Sequence, residues 1–208
     1  MMSHPDSKQT EHWKGPEGDA YTQRQTLPMA NRIAMFERIF SAIMGHVPRS
    51  VVEFGANTGD NLWAIQRVIG PVTLQGLDPN EAACREMIRR GITTTQGTIQ
   101  DVVTTGQWQM SMTRGVLIHI PPEELPTVYR KLYEFSKRYI LIAEYYNPKP
   151  VEIEYRGKMG LLWKRDFCGE LLDAYPDLKL ADYGFVYHRD PEYPQDDVTW
   201  FMLEKEQR

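Results

Sequence analysis

The chain reads as an α/β fold: a mostly parallel sheet with helices on both faces and an antiparallel pair of strands at the C-terminal end. Three observations predict it. Short aliphatic or β-branched runs alternate with segments whose apolar residues recur at helical spacing, in the order βαβαβ…βαβαββ. A helix between two strands carries the chain back across the sheet, so those strands run the same way. The last two runs, 179–187 and 198–205, are joined by a Pro- and Asp-rich loop without a helix, which reads as a long hairpin.

Taken in order, residues 1–29 hold few aliphatics and three prolines, Pro5, Pro16 and Pro28, that interrupt helices. Trp13 and Tyr21 are large aromatics in this polar stretch, so the segment is expected to fold back as a lid or anchored tail. Residues 30–208 form the single folded domain. Ile33, Phe36, Phe40, Ile43 and Met44 mark a helix from Ala30 that Pro48 stops. The first strand is Ser50–Phe54. Leu62, Ile65, Val68 and Ile69 mark the next helix, closed by Gly70-Pro71.

The second strand, 72–77, ends at Asp78-Pro79-Asn80 and is followed by a helix over 81–90. Thr93–Gln96 is a short third strand closed by Gly97, and 98–106 is a loop or short helix. The fourth strand covers 108–113, with Gly115 to Ile120 beyond it, and Pro121-Pro122 opens a helix with Leu125, Val128, Leu132 and Phe135 inward. Residues 139–144 are the clearest buried strand and run into the non-helical Tyr145-Tyr146-Asn147-Pro148. An excursion over 151–162 and a short helix over 164–175, with Phe167, Leu171 and Leu172 inward, precede the hairpin.

Composition narrows the function. A chain of 208 residues, 41% hydrophobic and 25% charged, is ordinary for a globular domain with a sizeable core. No apolar run reaches the roughly 18 residues of a membrane span. The polar Met1–Lys8 lacks the core of a signal peptide, and Cys84 and Cys168 are isolated, so a cytoplasmic home and no metal site are expected. Net charge is −4 and basic residues are scattered, so nucleic-acid partners are disfavoured and a small-molecule partner is expected.

In folds of this class ligands bind beyond the carboxyl ends of the strands. Glu53–Gly59, Asp78, Gly97–Asp101, His119 and Tyr145–Asn147 all fall there. Val51-Val52-Glu53-Phe54-Gly55-Ala56-Asn57-Thr58-Gly59-Asp60 is a buried strand, a tight turn and a helix N-terminus, where backbone amides meet a ligand. A dinucleotide fingerprint starting at Gly55 needs glycine two and five residues on, where Asn57 and Asp60 stand. Asp60 also sits where a pyrophosphate would lie. A sulfonium cofactor without phosphate, S-adenosylmethionine, has no such conflict. Asp78 then serves as acceptor for both ribose hydroxyls, Ile99 packs on the adenine, and Asp101 accepts from its amino group.

These stretches resemble a family. The chain looks like a class I S-adenosylmethionine-dependent methyltransferase and, more narrowly, is similar to the pseudaminic acid biosynthesis-associated methylases. The resemblance rests on Trp13-Lys14-Gly15 through Tyr21, Glu53 to Gly59, Gly115 to Ile120, Tyr139 to Pro148, Glu152 to Gly157, Lys164-Arg165-Asp166-Phe167, Asp182 to Asp190 and Asp196 to Phe201. It implies a Rossmann-like, seven-stranded sheet whose last strand runs antiparallel, with Glu53, Gly55, Asp78 and Ile99 at the cofactor. Asn57 departs from the general class, where glycine is usual. Trp13, Tyr21, Asn57, Gly59, Pro79 and Gly115 complete the expected cofactor set, with product S-adenosylhomocysteine.

Methyl transfer from a sulfonium asks the protein to align three atoms and exclude water; a hydroxyl acceptor also needs a base. His119 is the leading base and Tyr145 a second catalytic candidate. Tyr146, Asn147, Arg156, Arg165 and His188 are candidates to hold a polar acceptor, the cations by clamping a carboxylate or phosphate. The acceptor is expected to be a small polar metabolite, a sugar or nucleotide-sugar among the options. The alternatives are a non-catalytic cofactor-binding regulator and a macromolecule methyltransferase.

Overall fold

The computed structural model describes residues 8–24, 27–103 and 107–206. The expectations placed on Met1–Ser7, and on the end of the loop before the fourth strand, lie outside the described residues. Seven strands form one sheet: β1 (Ser50–Phe54), β2 (Thr73–Asp78), β3 (Thr93–Gln96), β4 (Trp108–Arg114), β5 (Ser136–Glu144), β8 (Leu178–Val186) and β9 (Val198–Lys205). Their order is β3-β2-β1-β4-β5-β9-β8. The first five in that order are parallel, β9 runs antiparallel to β5, and β8 pairs antiparallel with β9. The predicted hairpin therefore forms, and it closes one edge of the sheet.

Alternation along each strand divides the core in two. Val51, Met110, Met112, Leu141, Trp200 and Met202 turn to one layer, with helices α3 (Met29–Ser41), α4 (Asp60–Ile69) and α5 (Glu81–Arg89). Val52, Phe54, Ile140, Ile142 and Leu203 turn to the other, with α6 (Leu125–Phe135) and α7 (Phe167–Ala174). Glu53 shares the parity of Val51, so its carboxylate points at the α3 and α4 layer. The order reverses between β1 and β4, and the crevice at that switch point is where the loops converge.

Several boundaries move, each for a local reason. The N-terminal segment is helical, α1 (Lys8–Lys14) and α2 (Pro16–Gln23). Pro16 stands in the first turn of α2, where no N–H is needed, so it starts a helix where the sequence reading had it interrupt one. The helix expected from residue 164 begins at Phe167, because Trp163–Lys164 (β7) pairs with Val151–Glu152 (β6) and Asp166 caps α7 by accepting from the Gly169 N–H at 2.8 Å. Beyond β4, residues Leu117–His119 make one 3₁₀ turn.

The hairpin depends on one missing side chain. A Cβ on Gly184 would lie 2.5 Å from the Trp200 ring, on the opposed strand of the β8–β9 pair. Gly184→Ala is therefore expected to cost about 1–3 kcal/mol through overpacking. Thermal unfolding would show it as a Tm lowered by several degrees; an unchanged Tm would mean the two strands separate freely.

Candidate functional site

The turn after β1 is shaped by three left-handed residues, Gly55 at φ 70°, Asn57 at φ 47° and Gly59 at φ 78°. The N–H groups of Gly55 and Ala56 donate to the Leu77 carbonyl at 2.7 and 2.9 Å, tying the turn to the end of β2. Asn57 can hold this conformation because asparagine tolerates the left-handed region. Its Oδ1 also accepts from the Thr22 hydroxyl at 2.8 Å, a link that glycine could not make.

Asp78 ends β2 buried, between two loop amides. One oxygen accepts the Asn57 N–H and the other the Asn80 N–H, both at 2.8 Å. Burial pushes its carboxyl up to about 6, while the two amide bonds draw it back down. Asp78 is not the cap of α5; Asn80 is, accepting from the Ala83 N–H at 2.9 Å. The Asp78 oxygens keep capacity for further donors.

Above these loops lies a cavity of about 1130 Å³, its open mouth included. Its floor holds Gly55, Asn57, Asp78, Pro79, Ile99 and Gly115, all expected at the cofactor. Its roof is the N-terminal pair of helices, which contributes Gln9, Thr10, Trp13, Gly18, Tyr21 and Thr22. Trp13 meets Tyr21 edge-on at 5.3 Å and tilts over His119 at 4.8 Å between ring centres. Beside the Thr22–Asn57 bond, Asn80 donates to the Asp19 carboxylate at 2.8 Å and Gln9 donates to the Gly160 carbonyl at 2.6 Å. Gly18 is buried, and a Cβ there would fall 1.9 Å from the Trp13 carbonyl oxygen.

His119 closes the 3₁₀ turn and lines the cavity. Its Nδ1 lies 2.6 Å from the Leu161 carbonyl oxygen. A carbonyl only accepts, so Nδ1 carries the proton and Nε2 holds the lone pair. Burial pushes the ring down to about 4, more than the Leu161 bond raises it, so the imidazole is neutral at physiological pH.

Two expected cofactor residues do not line the cavity. Glu53 is wholly buried beneath the turn and accepts from the Asn61 amide at 2.6 Å, because its strand parity aims it at the helix layer. Gly59 precedes α4, and a Cβ there would lie 2.5 Å from the Ile92 side chain and 3.1 Å from that of Met87, so it serves close packing. Asp101, expected at the adenine, is likewise exposed and outside the lining, accepting from the Thr98 hydroxyl at 2.6 Å.

Nor does the structure bring the acceptor set to this cavity. The Tyr145 hydroxyl donates to Asp196 at 3.1 Å, beside the hairpin. Tyr146 is exposed and packs on Phe201, while Asn147 pairs with the backbone of Arg165. The Arg165 guanidinium is engaged by Glu170 at 2.8 Å and the exposed His188 by Asp197 at 2.8 Å. Arg156 stands over the Tyr155 ring, 4.0 Å from Glu17 of the roof. Every one of them has a local partner, which a reading of residue types alone could not supply.

Other lining residues were missed. Arg32, only 4% exposed, reaches the cavity from α3 and donates to Asn61 Oδ1 at 2.5 Å. Its signal was available: Asn31-Arg32 interrupts the inward face of an amphipathic helix. Gln100 and Glu124 face each other across the far end, the Gln100 amide donating to the carboxylate. That bond fixes the amide orientation, and Gln100 Oε1 is buried without a hydrogen-bond partner among the described residues.

Solved structures share this architecture. Magnesium protoporphyrin IX methyltransferase from Synechocystis, with bound S-adenosylhomocysteine, aligns at a TM-score of 0.70 and 11% identity over 95% of this chain and 98% of that one. The fold is that of the Rossmann-like methyltransferases. The 1,6-didemethyltoxoflavin-N1-methyltransferase of Burkholderia thailandensis, also holding S-adenosylhomocysteine, aligns at a TM-score of 0.70 and 13% identity over 99% and 94%. A Leishmania major S-adenosylmethionine-dependent methyltransferase gives a TM-score of 0.67 at 13% identity over 95% and 87%. No family model matches the chain, and no curated protein matches it in sequence. Among the described residues, no helix is long and apolar enough to cross a membrane, and no group of His, Cys, Asp or Glu could hold a metal ion.

Burial of Glu53 pushes its carboxyl up to about 8, outweighing the Asn61 bond and the Arg32 charge that favour ionisation. A folded-state value above the unfolded one means the folded chain holds the proton longer. The associated stability is complete below pH about 4.5 and declines as pH rises through about 8. Glu53→Gln removes this contribution, so stability relative to the native chain is expected to improve from pH 5 to pH 8.5. Urea unfolding across that range checks it; a constant difference would place the Glu53 proton elsewhere.

Proposed function

We propose that the protein is an S-adenosylmethionine-dependent methyltransferase. One observation carries the proposal: the buried Asp78 carboxylate, held by the amides of Asn57 and Asn80, lines a cavity at the switch point of a methyltransferase sheet. Asp78 accepts from the ribose hydroxyls. Gln100 Oε1, already oriented by Glu124, accepts from the adenine amino group in the place first expected for Asp101, and Ile99 packs on the ring. Arg32 offers a cation to the methionine carboxylate, while Trp13 and Tyr21 turn aromatic rings towards the sulfonium. Helices α1 and α2 act as the lid over residues 30–208.

When bound, the cofactor supplies a methyl group on a sulfonium with a neutral thioether as leaving group. The chain aligns the acceptor, excludes water and removes the acceptor's proton. His119 does the last, because its Nδ1–H is committed to Leu161 and its Nε2 is free to take a proton. We place the acceptor among small polar metabolites, sugars or nucleotide-sugars included. The amide and hydroxyl side chains of Gln9, Thr10 and Thr22 on the roof support this, as does the narrower family resemblance. The net charge of −4 and scattered basic residues weigh against a nucleic-acid substrate.

Asp78→Ala is expected to weaken S-adenosylhomocysteine binding about 10- to 100-fold by calorimetry, the worth of hydrogen bonds to a charged group. Unchanged affinity would remove the ribose from Asp78. Incubation with S-adenosylmethionine and a metabolite extract, followed by mass spectrometry, is expected to yield S-adenosylhomocysteine and a product heavier by one methyl group. Binding without any product would leave a cofactor-binding protein without transferase activity. With the acceptor in hand, His119→Ala is expected to lower kcat about 100-fold with cofactor affinity kept; full turnover would make the histidine structural.

A further inference from the structure

Glu144, the last residue of β5, is 2% exposed and lies outside the lining of the cavity. One of its oxygens accepts the N–H groups of Val116 and Leu117, both at 3.1 Å, and the other accepts that of Ile118 at 3.4 Å. Three consecutive amides converge on one carboxylate. Burial pushes its carboxyl up to about 7, and the hydrogen bonds from these amides draw it back down, with no neighbouring cation among the causes.

These amides open the 3₁₀ turn that ends at His119. The turn's own bonds use the other end of the same residues: the His119 N–H donates to the Val116 carbonyl at 2.9 Å and the Ile120 N–H to the Leu117 carbonyl at 3.1 Å. The Val116, Leu117 and Ile118 donors would otherwise be left over, and an unpaired amide in the interior is costly. Glu144 takes all three, so the backbone leading into residue 119 has one arrangement. The ring is then met from three sides, by the Leu161 carbonyl at 2.6 Å, Trp13 at 4.8 Å and Tyr155 at 5.1 Å.

Alternatives to this carboxylate are poor. A glutamine could accept from two of the amides, but its own NH₂ would confront the third N–H. An aspartate is one methylene too short to span the set. Burying an acid here is costly, as its carboxyl value, pushed up to about 7, records. A surface cap or a water would satisfy the turn at less cost, so the placement serves more than the turn.

We infer that Glu144 is the positioning residue for His119. Its carboxylate fixes the Val116–Ile118 backbone and, through it, an imidazole whose Nδ1–H is committed to Leu161 and whose Nε2 is left to accept a proton. This rests on reading His119 as the base of the proposed transfer.

The test uses the full chain labelled with ¹⁵N-histidine and no ligand. The five histidines are distinguished by single His→Gln variants. At pH 8, where Glu144 is ionised, His119 of the native protein is expected to show a protonated Nδ1 and a bare Nε2. In Glu144→Gln at the same pH the ring is expected to average between tautomers. Glu53→Gln, which removes a buried carboxylate away from this turn, controls for general loosening and is expected to leave His119 unchanged. A single native tautomer at pH 8 in Glu144→Gln would overturn the inference. Should that variant fail to fold, Glu144→Asp is judged by the same criterion. S-adenosylhomocysteine affinity, measured separately, reports on the cofactor reading alone, so the two can fail independently.

Discussion

The loops that frame the cavity are held by one requirement, that an acid taken out of water needs hydrogen-bond donors. Three strands carry a buried acid at or next to their carboxyl end: Glu53 on β1, Asp78 on β2 and Glu144 on β5. Each draws a donor from a segment that follows a strand, although the second Glu53 oxygen has none among the described residues. Asp78 gathers amides from the turn after β1 and from its own turn, Glu144 gathers those after β4, and Glu53 holds the Asn61 side chain at the start of α4. The sheet thus reaches up through its own carboxyl ends to fix the loops above it. The cavity inherits the rigidity of the strands although it is lined mostly by turns.

Much of the fold was legible because it depends on periodicity. Strands β1, β5 and β9 and the inward faces of α4 and α6 follow from apolar spacing alone, and the C-terminal hairpin followed from the lack of a helix between its strands. The N-terminal helices were not legible in that way. Their apolar residues are too few to make a stripe, and they are held by specific pairs with distant residues, Gln9 with Gly160, Thr22 with Asn57, Asp19 with Asn80. Propensity carries no information about such partners.

The site divides along the same line. Residues on the strand ends and the first turns were placed from sequence because the topology brings all carboxyl ends to one edge. Glu53 and Asp101 lie off the cavity lining for a finer reason, the direction of one side chain. Strand parity sends Glu53 into the helix layer, and Thr98 turns Asp101 outward, leaving Gln100 at the cavity. Arg165, His188 and Tyr145 have chemistry that suits an acceptor, yet each is already engaged by an acid nearby. Residue type speaks to what a group could do; only the neighbours decide whether it is available.

The roof rests on a position that carries no side chain. Gly18 sits where α2 crosses the carbonyl of Trp13 and the amide of Asn80, with no room for a single carbon atom. Nothing in the composition of the surrounding segment advertises this, since its neighbours are polar and exposed. The exposed positions of these helices outside those polar pairs could change in charge and polarity, whereas Gly18 could not take a side chain. Gly18 therefore works as a signature: a chain that keeps it beside the tryptophan and the asparagine keeps the same roof, and one that has lost it must close its cavity by other means.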